Sequence, residues 1–186
     1  MFLKNRANLN SFPLRSGKIE QYPIKEWHGG KVQFMRDNVI HLMRGQVYNI
    51  DGNKIFTMGG GLSVDKAQRS PGISWWHQEE VNCAEIEEAY NNLEKVNFEV
   101  DYVITHSAPE TFARNEINSF KRLLRMDSPT EKFLNDIYFK IKFKMWYCGH
   151  YHVDSYIKRG KLYVLYHHIV KAGTNERLNM DFRGEY

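Results

Sequence analysis

Trp146-Tyr147-Cys148-Gly149-His150-Tyr151-His152 and Asp101-Tyr102-Val103-Ile104-Thr105-His106-Ser107-Ala108-Pro109 decide how this 186-residue chain is read. In each stretch an apolar run of strand type stops at a histidine and gives way to small or turn-forming residues. Strand ends are where a sheet hands side chains to a site, and neutral imidazole is the commonest protein metal ligand. Gly149 lets the backbone turn tightly before His150 and His152. Both rings can then face one ion, and His106 is the third ligand if the two strands are neighbours.

Working outward, Lys31 begins a series of short strands. Val32–Met35, Val39–Met43, Gln46–Ile50 and Ile55–Met58 are separated by turn residues, with a hairpin signal at Asp51-Gly52. They read as one antiparallel meander. His41 alternates with apolar neighbours and reads as a satisfied sheet histidine, and His28 before Gly29-Gly30 reads as a turn residue. Asn82-Cys83-Ala84-Glu85 has the form of a capping box, followed by Ile86, Ala89, Tyr90, Leu93 and Val96 on one helical face. Ser128-Pro129-Thr130-Glu131 opens a second helix in the same way, with the stripe Phe133, Leu134, Ile137, Tyr138 and Ile141. Strands are expected at Asp154–Ile157 and Leu162–His167. Gly59-Gly60-Gly61 lacks the Lys-Ser/Thr of a P-loop and the dinucleotide spacing, so it reads as a loop rather than a phosphate cradle.

Composition sets the bounds. Hydrophobic residues make up 42% and aromatics 14% of the chain, which suits a packed globular domain, and the net charge of +4 does not demand an acidic partner. Residues 1–24 form a basic N-terminal arm with Lys4, Arg6, Arg15 and Lys18, and 25–186 a single domain. Cys83 and Cys148 make no CxxC pair, so a reduced, cytoplasmic protein with two buried thiols is expected. Met1–Lys4 is too short for a signal peptide, and no apolar run reaches membrane-spanning length.

The motifs in order resemble the calcineurin-like metallophosphoesterases. The likeness runs from about Tyr22 to Val170. It takes in Tyr22–Gly30, Asn38–Gly45, Met58–Ser63, Pro71–Trp76, Ile104–Pro109, Gly149-His150-x-His152 and Leu165-Tyr166-His167. The resemblance implies an α/β (α+β) fold, a truncated metallophosphoesterase-like sheet sandwich with flanking helices. It places the loop with Asp65 and Arg69 near the site mouth, the two pairing to hold it. On the family pattern the Asp-x-His and Gly-Asp motifs are missing. Lys4-Asn5-Arg6-Ala7-Asn8 stands as a degenerate Gly-Asn-His motif with Arg6 in place of the acid. Asn5 takes that register only with an insertion across Leu14–Gln21, because the usual spacing back from Tyr22 puts Phe12 there. The surviving ligands are His106, His150 and His152, joined by Asn5 in that register. Three imidazoles suit one tetrahedral ion, zinc before manganese, iron or nickel.

Three functions follow from these residues. The first is a metal-binding, catalytically disabled protein that acts by binding a macromolecule. A phage or mobile-element inhibitor of a bacterial defence nuclease, anti-CRISPR-like, is one concrete form of it. The second is an active metal-dependent phosphoesterase with a reduced site. The third is a nucleic-acid-binding module using Lys140, Lys142, Lys144 and the basic arm. A protein partner is expected and no membrane. Sheet edges left bare by the absent front portion are covered by the arm or by a homodimer.

Overall fold

Asp51 and Gly52 both adopt positive φ (50° and 76°), the geometry of a two-residue turn whose twist matches its flanking strands. They join β5 (Gln46–Ile50) to β6 (Asn53–Met58) in a hairpin running from Gln46 opposite Thr57 to Ile50 opposite Asn53. The computed structural model describes residues 2–3, 22–63, 66–117, 127–174 and 176–178. From β6 the sheet grows in parallel through β7 (Tyr102–Thr105), β8 (Met145–Cys148) and β10 (Leu162–Val164). It is edged by antiparallel β9 (Ser155–Ile157), giving the order β5-β6-β7-β8-β10-β9. The fold is therefore mixed α/β of the α+β kind.

The parallel pairs need crossovers; helices supply the first two, while β8 reaches β10 by way of the edge strand β9. α1 (Cys83–Glu94) lies between β6 and β7, while α2 (Glu110–Asn115) and α3 (Pro129–Lys140) lie between β7 and β8. α1 starts at the expected capping box: Asn82 Oδ1 accepts from Glu85 N–H and Glu85 Oε2 accepts from Asn82 N–H, both at 3.0 Å. At α3 the Ser128 hydroxyl oxygen accepts from Glu131 N–H at 3.2 Å, with Pro129 in the first turn. The Glu131 carboxylate is turned elsewhere, onto the Tyr151 hydroxyl.

Strand side chains alternate between faces, so each strand feeds two layers. Phe56, Met58, Val103, Trp146, Cys148, Leu162 and Val164 meet Ala89 and Leu93 of α1, Phe112 of α2, and Phe133, Leu134 and Ile137 of α3 in the main core. On the other face Tyr147, Tyr163 and Leu165 pack with Val170. Val170 belongs to β11 (Ile169–Lys171), the middle strand of a three-stranded sheet with β1 (Phe2–Leu3) and β12 (Arg177–Leu178). Phe2 and Leu3 pair with Lys171 and Val170.

Two expectations are corrected. The meander breaks after β4: β2 (Ile24–Trp27), β3 (Gly30–Arg36) and β4 (Val39–Leu42) form their own antiparallel sheet, and β5 pairs with β6. At the break Gly45 (φ 70°) already joins the second sheet, its N–H donating to Thr57 C=O at 2.9 Å, and it runs so close to α1 that a Cβ there would lie 3.0–3.1 Å from Ala89. Cys148 is buried as expected, but Cys83 is exposed, because it falls in the first turn of α1 outside the apolar stripe.

Candidate metal-binding site

The carboxyl ends of β6, β7, β8 and β10 open on one edge of the sheet, where α/β proteins commonly place their sites. Backbone hydrogen bonds carry the ladder past the strands. His106 N–H donates to Met58 C=O (3.1 Å), Gly149 N–H to His106 C=O (2.9 Å) and Leu165 N–H to Cys148 C=O (2.8 Å). The loops after these strands therefore lie side by side. His150 and His152 both have left-handed backbones, φ 70° and 54°. For residues with a side chain that conformation costs about 1–3 kcal/mol each and persists only where surroundings impose it.

The structure brings two of the expected ligands together. His150 Nδ1 lies 3.1 Å from His106 Nε2, with the rings edge to face at 4.9 Å and 71°. Burial pushes His106 down to about 3, assisted by His150, Arg44 and His152. Burial also lowers His150, as does His152, while the Glu80 carboxylate and a backbone hydrogen bond to Leu62 oppose the shift. Both rings are therefore uncharged at neutral pH, so one N–H faces the other's lone pair. The glycine loop after β6 makes room for this. A Cβ on Gly61 would lie 2.5 Å from Ser107 Oγ, 3.1 Å from His106 Cδ2 and 3.2 Å from His150 Nδ1.

The 3.1 Å separation is one that two ligands of a single ion also show, although here the two nitrogens are aimed at each other in a hydrogen bond. Two nitrogens held at about 2.0–2.1 Å from one cation, at angles of about 90–109°, lie roughly 2.8–3.4 Å apart. The third expected ligand is not gathered with them. His152 is exposed and stacked on Tyr166 at 4.9 Å and 18°, although it is near enough to depress both other histidines. Among the described residues no three His, Cys, Asp or Glu side chains form a group that could hold a metal. Asn5 and Asp65 lie outside the described residues, so the Asp65–Arg69 pairing does too. Arg69 Nη1 donates to Ser74 C=O at 3.0 Å. His41 faces Gln33 Oε1 (2.9 Å) within its sheet, and His28 occupies a left-handed turn position with Nδ1 2.9 Å from Asn49 C=O.

Four further neighbours frame the site. Asp154 accepts backbone N–H bonds from Tyr166, His167 and His168 at 2.8, 2.9 and 3.0 Å, and so fixes the loop after β10. Burial alone would raise its carboxyl, but these three donors hold it below the usual carboxylate range. Arg44 donates to the Gln78, Glu79 and Glu80 carbonyls and to Glu85, pinning the segment before α1. Glu80 in turn receives Thr130 N–H (3.0 Å), Thr130 Oγ1 (2.8 Å) and the Ser128 hydroxyl (3.2 Å) at the start of α3. Tyr151 is clamped between Ala108 and Glu131. The partners of all four are distant in sequence, so local pattern carries no signal for them beyond Asp154 standing two residues after His152.

Comparison with family models, with curated proteins and with solved structures finds no match to this chain.

Proposed function

We propose that this protein binds one divalent late first-row transition metal, zinc foremost, on a scaffold of the calcineurin-like metallophosphoesterase type. His106 and His150 are the primary ligands, and His152 joins them by leaving Tyr166. The carrying observation is the 3.1 Å approach of two uncharged imidazole nitrogens at the ends of adjacent parallel strands. Neutral nitrogen donors favour zinc, iron or nickel over the oxygen-seeking magnesium and calcium. An ion held there supplies Lewis acidity toward a phosphoryl oxygen. The protein's own residues keep both imidazoles uncharged, align the strand ends through the His106–Met58 and Gly149–His106 backbone bonds, and leave room for the two rings at Gly61.

The same reading has the protein acting by binding a macromolecule rather than by rapid hydrolysis. What supports this is the sequence resemblance alone, in which the Asp-x-His and Gly-Asp motifs that would hold a second cation find no counterpart in the sequence. The nucleic-acid reading has less support. Lys140, Lys142 and Lys144 are each ion-paired, to Asp136 (2.7 Å), Glu99 (2.5 Å) and Asp101 (2.7 Å). No helix among the described residues is long and apolar enough to cross a membrane.

Elemental analysis and zinc titration of the purified chain test the proposal, beside His106→Ala, His150→Ala and His152→Ala. The expected result is about one ion per chain, lost in the first two variants and weakened in the third. No stoichiometric metal in the wild type would overturn it. So would two ions with manganese-dependent cleavage of a bis-aryl phosphodiester that His150→Ala abolishes, which is the phosphoesterase reading.

A further inference from the structure

Tyr151 stands between the two histidines of its loop, yet its hydroxyl makes its hydrogen bonds outside that loop. Its ring packs against the main core and meets His150 edge to face at 5.0 Å and 82°. Its hydroxyl accepts from Ala108 N–H at 3.0 Å and donates to Glu131 Oε1 at 2.8 Å. Ala108 is two residues past His106, and Glu131 lies in the first turn of α3. One phenol therefore ties the loop carrying His150 to the loop carrying His106, and both to a helix. The flanking left-handed residues show why a tie is needed at this point. His150 and His152 hold backbones that a free loop would relax, and Tyr151 is the residue between them. The Gly149 N–H bond to His106 C=O aligns the strand ends but acts before the turn begins.

We infer that Tyr151, backed by Glu131, is a positioning residue that sets the spacing of the His106 and His150 nitrogens for an ion. It touches no ligand of the ion through its hydroxyl; it acts by holding the backbone from which His150 projects. The inference rests on the metal-binding reading above, and groups that orient ligands typically change metal affinity 10–100-fold when removed. Tyr151→Phe keeps the ring and leaves Ala108 N–H and the Glu131 carboxylate without the phenol. Glu131→Ala removes the acceptor, and Glu131→Gln keeps a carbonyl oxygen able to take the phenol proton.

The experiment is a competitive zinc titration of the full chain and these three variants, with circular dichroism to confirm folding. It is paired with long-range proton–nitrogen spectra of the histidines in the metal-free proteins. Tyr151→Phe and Glu131→Ala are expected to lose about 10–100-fold in zinc affinity. Their spectra should also lose the signature of a hydrogen-bonded His106–His150 pair, while Glu131→Gln keeps that signature and most of the affinity. If Tyr151→Phe fails to fold, the contrast between Glu131→Ala and Glu131→Gln carries the test. Wild-type affinity and an unchanged pair signature in folded Tyr151→Phe and Glu131→Ala would overturn the inference. A wild type that binds no zinc sinks the metal reading alone, because the metal-free spectra still report whether the phenol holds the pair.

Discussion

Gly61→Ala puts a methyl group where the site has no room for one. The added carbon would lie 2.5 Å from Ser107 Oγ, inside contact distance, and 3.1–3.2 Å from atoms of both His106 and His150. Ser107 is fully buried and its hydroxyl donates to Gly60 C=O at 3.0 Å, so rotating it away forfeits that bond, about 1 kcal/mol. Shifting two packed imidazoles by a few tenths of an ångström adds an overpacking cost of about 1–3 kcal/mol. Replacing glycine also narrows the unfolded ensemble, which returns about 0.4–1 kcal/mol. The net expectation is a loss of about 1–3 kcal/mol in urea unfolding of chelator-treated protein, with weaker zinc binding because the nitrogens are forced apart. Gly59→Ala is the control. Its methyl would meet nothing closer than Arg44 Nε at 3.4 Å, so it should fall within about 0.5 kcal/mol of wild type. Equal urea midpoints and equal zinc affinities for the two variants would refute the steric argument.

Acid should destabilise the metal-free protein well above the carboxylate range. His41, His106 and His150 all have folded values below the ordinary imidazole value, so under pH 6.5 the unfolded chain takes up protons that the folded chain refuses. Stability then falls as pH drops toward about 3, by up to about 1.4 kcal/mol per unit for His106 alone. Burial raises Glu131 and offsets part of this loss. Urea midpoints that stay flat from pH 7 to pH 5 would contradict it. Asp154→Ala removes the acceptor of three backbone donors, and should cost about 2–3 kcal/mol and speed amide hydrogen exchange at Tyr166, His167 and His168. Exchange unchanged at those three amides would show that the carboxylate does not hold the loop.

Much of the fold could be read locally. The Asp51-Gly52 turn, the Asn82 cap with Glu85, the Ser128-Pro129 helix start and both apolar stripes depend on residues within a few positions of each other. Their physics is complete in a short window. The meander failed because whether β5 pairs with β4 or joins the larger sheet through β6 and β7 is set by tertiary packing, such as the close approach of Gly45 to α1 44 positions away, which leaves no mark on either neighbourhood. The glycine triplet was read as a loop, and a loop follows β6 there. Its steric role, leaving space for an imidazole pair, could not be seen before β6, β7 and β8 were known to be adjacent.

For the site, the residues alone determined that His106 and His150 follow strand ends, whereas the left-handed turn positions expected of Gly149 fall on His150 and His152, at φ 70° and 54°. Strand propensity is a local property, so the first statement needed no partner. Only the tertiary structure decided that Nδ1 and Nε2 meet at 3.1 Å, that His152 stacks on Tyr166 instead, and that Tyr151 ties the two loops together. Those outcomes depend on the parallel register Ile104 opposite Tyr147 and on where α3 sits against the sheet, and side-chain distances between strands are fixed by packing rather than by sequence neighbours.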